Sequence, residues 1–77
     1  MTAWFKQSDT NYAFVGLSEE ARLDGVPKLL EVPIGHVELN PNTNQWDAYL
    51  NNIFLVSFPQ LLNSFLAVEE CFQNQPL

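Results

Sequence analysis

Short apolar runs separated by turn-forming polar stretches occupy most of the chain, and a clear helical repeat is confined to residues 58–72. Trp4 and Phe5, then Tyr12, Ala13, Phe14, Val15 and Leu17, flank Ser8-Asp9-Thr10-Asn11, whose Asp and Asn side chains suit turn geometry. This pattern predicts a hairpin. Ser18 followed by Glu19 and Glu20 has the form of a helix N-cap with acids in the first turn, and Gly25 is placed to close a short helix after Asp24. Pro27 and Pro33 bracket Lys28-Leu29-Leu30-Glu31, a segment too short for a free-standing helix. An extended pattern resumes over Ile34 to Leu39, and Pro33 points to a strand edge or a strand beginning.

Asn40-Pro41-Asn42-Thr43-Asn44 is the strongest punctuation in the chain and predicts a turn between two strands. From Gln45 to Phe58 two periods compete, because Trp46, Tyr49, Leu50, Ile53 and Phe54 also fit one face of a helix. The turn chemistry favours strands. Asn51-Asn52 suits a two-residue hairpin loop, whereas paired Asn is a poor choice in mid-helix. Beyond it, Ser57 and Gln60 have capping-box spacing and Pro59 falls in a first turn, so a helix is expected from near Phe58. On that helix Phe58, Leu61, Leu62, Phe65, Leu66, Val68 and Phe72 form one broad apolar arc, with Gln60, Asn63, Ser64, Ala67, Glu70 and Cys71 outside it.

A two-residue loop at Asn51-Asn52 sets Leu50 against Ile53, Tyr49 against Phe54, Ala48 against Leu55 and Asp47 against Val56. One face then carries Trp46, Ala48, Leu50, Ile53 and Leu55 and suits the underside of the helix. The other carries Asp47, Tyr49, Phe54 and Val56, apolar around a single acid, with no second long helix to cover it. Three covers are open to that face: the segment Ser18 to Leu30, a second copy of the chain, or another protein.

Composition narrows the class. The 77 residues allow one small domain spanning 1–77, and 47% hydrophobic with 13% aromatic residues is too apolar for intrinsic disorder. A mean hydropathy of −0.07 and the lack of a long apolar run argue against a membrane span. Nine acids against three bases give a net charge of −6, which repels phosphate backbones and anionic lipid, so neither direct nucleic-acid binding nor membrane attachment is expected. One cysteine forms no internal disulfide, and Met1 to Lys6 contain no signal-peptide apolar region, which makes an intracellular, cytoplasmic setting the expectation.

Candidate chemistry is sparse. His36 and Glu38 share a strand face, a conceivable acid–base pair, but a general base also needs a pocket, and a strand histidine tied to Glu38 or water is the preferred reading. One histidine without a Cys or His partner at ligand spacing builds no metal site. Cys71 lies beside Glu70, whose charge disfavours a thiolate, so it reads as a small residue at a packing edge. Glu69 projects into the apolar arc between Phe65 and Phe72, which leaves two readings: a pairing with Lys6, Arg22 or Lys28, or a helix that loses its regular face there. Gly16, Gly25 and Gly35 are isolated and form no phosphate loop, so no cofactor or small-molecule substrate is indicated.

The expected fold is α+β: an antiparallel meander of four or five short strands with one C-terminal amphipathic helix on one face. The expected function is that of a small acidic binding or regulatory module without catalysis. It docks on another protein through an apolar face of Asp47, Tyr49, Phe54 and Val56. The alternatives are an acidic inhibitor that mimics nucleic acid in a partner's basic groove, and a self-associating structural subunit such as a homodimer.

Overall fold

The computed structural model describes residues 1–21 and 27–74. Five strands, β1 (Thr2–Ser8), β2 (Asn11–Ala21), β3 (Pro27–Asn40), β4 (Gln45–Leu50) and β5 (Ile53–Phe58), precede one helix, α1 (Leu61–Gln73). Each strand pairs antiparallel with its neighbour in sequence, so the sheet order is β1-β2-β3-β4-β5. The helix packs across β4, β5 and β3 on one face, as an α+β meander requires.

The turn residues explain the strand connections. Asn51 and Asn52 both adopt the left-handed region (φ 53° and 65°), the geometry of the two-residue turn whose twist matches its flanking strands. Asparagine tolerates it because its short polar side chain bonds locally. In the β3–β4 loop Asn42 N–H donates to Asn40 Oδ1 (2.9 Å), Asn44 is left-handed (φ 58°), and its N–H closes on the Asn40 carbonyl at 2.8 Å.

The short helix expected at Ser18 is not formed. Ser18 to Ala21 continue β2, in register with Leu30 to Pro27, and the remainder of that expected helix lies outside the described residues. A two-turn helix satisfies few backbone bonds after a costly nucleation, whereas extending an existing ladder adds bonds along the strand. β2 and β3 are accordingly long, and their paired ends form a ribbon beyond the limits of β1 and β4. Pro33 lies within β3, beyond the β4 ladder that begins at Gly35↔Leu50 and next to the irregularity at Ile34 in the pairing with β2, a place in a sheet that tolerates proline.

The core lies between the sheet and α1, with Phe14, Val37, Ala48, Leu50 and Val68 buried. Trp4, Trp46, Phe65 and Phe72 close its margins. The helix is rotated relative to the expected arc. Ser64 is fully buried and donates from Oγ to the Trp46 carbonyl at 3.0 Å, while Leu62 and Leu66 face outward at 65% and 51% exposure. A small hydroxyl permits close approach to β4 and finds a strand carbonyl there, which a bulky Leu at that position would hold away.

The expected capping box is also absent. α1 starts at Leu61 with Gln60 as its N-cap and no side-chain cap bond. Ser57 belongs to β5, and its hydroxyl donates to the Asp47 carboxylate instead. A hydrogen bond to a buried charged acceptor is stronger than one to a helix amide.

Candidate functional site

On the face of the sheet away from α1, the register aligns Phe5, Ala13, His36, Tyr49 and Phe54 in one row across all five strands. Antiparallel partners share a face, and these residues alternate with the core-facing Trp4, Phe14, Val37 and Ala48. The row is partly open: Phe54 is 53% exposed and Phe5 39%. His36 lies flat on Tyr49, ring centroids 4.4 Å apart and planes 7° from parallel, and Phe54 meets Tyr49 edge-on at 5.7 Å.

A second row runs beside it. Asn11, Glu38, Asp47 and Ser57 are cross-strand neighbours, which sets two carboxylates directly opposite each other at Glu38↔Asp47. Asp47 is buried, accepting from Ser57 Oγ and from Asn40 Nδ2. Those donors hold its charge in place of a base. Burial, followed by the nearby Glu38 and Asp47 carboxylates, pushes the Tyr49 phenol above its usual range.

Three of the four residues expected at this face, Asp47, Tyr49 and Phe54, are on it. Val56 is not. β5 carries one extra residue, Leu55, between the pairs Tyr49↔Phe54 and Ala48↔Val56, so Val56 turns to the helix side and packs on the core. Ser57 takes the place opposite Asp47. A bulge of one residue exchanges the faces of everything beyond it, which an uninterrupted hairpin register does not anticipate. Phe5 and His36 join the row instead. Placing them requires the registers of β1 and β3, which carry extra residues at Gln7 and Ile34.

The other side chains singled out in the sequence have the following surroundings. His36 borders an open depression of about 220 Å³ lined by Pro33, Ile34, Gly35, Asn51 and Asn52, where it is the one titratable side chain. Glu69 accepts from the Trp4 indole N–H at 2.8 Å rather than pairing with a lysine or arginine. Cys71 is half-buried against the core. Among the described residues, Lys6 and Asp9 form an exposed ion pair at 3.0 Å. No helix there is long and apolar enough to cross a membrane.

Comparison with known protein families, curated proteins and solved structures returns no match, so what this face does rests on its geometry and chemistry.

Proposed function

We propose that the chain is a protein-binding module without catalytic chemistry of its own, and that its open sheet face receives another protein. The reading is carried by the partly open row of Phe5, His36, Tyr49 and Phe54, exposed at its two ends and lying beside Glu38 and the buried Asp47. The described parts of the segment once available as an internal cover, Ser18–Ala21 and Pro27–Leu30, run within the sheet as strand. The partner is a protein surface with apolar side chains for the rings and a lysine or arginine for the opposed carboxylates. Such a base relieves the like-charge pairing of Glu38 with Asp47. A flat ligand such as a nucleobase is a poorer match, because the His36 and Tyr49 ring faces already contact each other.

Partner capture with the wild type, Phe54→Lys, Phe5→Lys and Leu66→Lys tests the reading. A partner retained by Leu66→Lys on the outer helix and lost by both other variants supports it. One held equally by all four sinks it. Affinity with this partner is expected to change little between low and moderate salt, since about one ion pair forms at the seam. A steep log-linear loss would instead favour acidic mimicry of nucleic acid.

A further inference from the structure

We propose that β5 is a strand-addition edge and that its occupant is β5 of a second copy of this chain, giving a two-fold dimer with one sheet running through both subunits. The outermost strands of the sheet are β1 and β5. β1 is defended: it carries Lys6, which pairs with Asp9 just beyond the strand, and an extra residue at Gln7. Charges and irregularities of this kind resist an incoming strand. β5 reads Ile-Phe-Leu-Val-Ser-Phe, with no charge and no proline, and Ile53 is 66% exposed. A charge-free apolar edge of this composition recruits another strand unless it is covered.

The register makes β5 self-complementary, which fits a second copy as the cover. Ile53 and Phe58 pair with the core-side positions Leu50 and Trp46, whereas Phe54 and Ser57 pair with the open-face positions Tyr49 and Asp47. Antiparallel neighbours must share a face. A two-fold axis between Leu55 and Val56 sets Ile53 against Phe58, Phe54 against Ser57, and Leu55 against Val56 of the other copy. The Ile53/Phe58 and Phe54/Ser57 pairs therefore match in face, which the extra residue Leu55 makes possible. β5 contributes none of the −6 that each chain carries, so the seam itself sets no like charges against one another.

Sedimentation over a dilution series tests the proposal, read together with hydrogen exchange of the β5 amides that point away from β4. The wild type is expected to dimerise, and dilution is expected to release those amides while β1 edge amides exchange fast throughout. Ile53→Lys, at a position exposed enough to leave the fold intact by circular dichroism, is expected to weaken association at least about tenfold. Leu66→Lys is expected to leave it unchanged. A wild type that stays monomeric with fast β5 exchange at every concentration overturns the proposal. So does a dimer that survives Ile53→Lys and is broken by Leu66→Lys or Phe5→Lys, which would place the contact on a face instead of the edge.

Discussion

The indole N–H of Trp4 donates to Glu69 Oε1 at 2.8 Å, joining β1 to α1 across 65 positions of sequence. Trp4 is also sandwiched by rings, with Phe14 at 4.7 Å and Phe65 at 4.3 Å, so its one polar atom needs a nearby acceptor. Glu69 supplies that acceptor from within an otherwise apolar arc. Glu69→Leu leaves the indole unsatisfied and is expected to cost about 1–2 kcal/mol in urea unfolding. Glu69→Gln keeps an acceptor and is expected to stay within about 0.5 kcal/mol of the wild type. Equal losses in both variants would mean that the carboxylate's charge, and not its acceptor, matters.

Gly35 and Gly16 make a contrasting pair. A Cβ on Gly35 would stand 2.5 Å from the Tyr49 carbonyl oxygen and 3.1 Å from Val68 Cγ1, so sheet or helix must shift. Gly35→Ala is expected to destabilise by about 1–3 kcal/mol, as overpacking does. A Cβ on Gly16 meets chiefly the far end of the Ile34 side chain at 3.3 Å, a contact with a side-chain tip where Gly35 meets backbone. Gly16→Ala is expected to change stability by less than about 1 kcal/mol in either direction. Denaturant midpoints of the two variants decide the comparison.

The β4–β5 turn offers a stability test with both signs. Asn51→Ala and Asn52→Ala each force an alanine into the left-handed region and are expected to cost about 1–2 kcal/mol. Asn52→Gly adopts the same conformation without a Cβ clash and is expected to lose nothing. A thermal melt in which the alanine variants match the wild type would place the turn outside the cooperative unit.

Tyr49 sets an alkaline limit. Its phenol is raised in the folded state, so the fold prefers the neutral ring; that contribution is intact below the unfolded value of about 10 and disappears as pH rises through the higher folded value. Phenolate absorbance is expected to show one tyrosine ionising above about pH 10. Tyr49→Phe should remove that late step and flatten the loss of stability over the same range. A late step that persists in the variant would overturn this assignment.

Much of this arrangement is legible in the chain because it rests on local chemistry. Asn51-Asn52 and Asn40 to Asn44 announce their turns, and those turns decide strands over helix for residues 45–58. Where local signals compete, the register of a neighbouring strand wins. Ser18-Glu19-Glu20 looks like a cap yet extends a ladder, and Ser57 looks like a cap yet serves Asp47. The candidate face is half legible for the same reason. Asp47, Tyr49 and Phe54 follow from the hairpin alone, whereas losing Val56 and gaining Phe5 and His36 depend on extra residues that leave no mark in composition.

The tie between Trp4 and the final helix also orders events during synthesis. Each strand after β1 meets a partner made just before it, so the sheet can zip progressively as the polypeptide lengthens. Its greasy underside stays wet until the helix arrives, because Phe65 and Phe72 shelter Trp4 and Phe14 only after the ribosome has translated them. A nascent chain halted before Leu61 would therefore expose the rings that α1 covers, a natural handle for chaperones and for quality-control proteases.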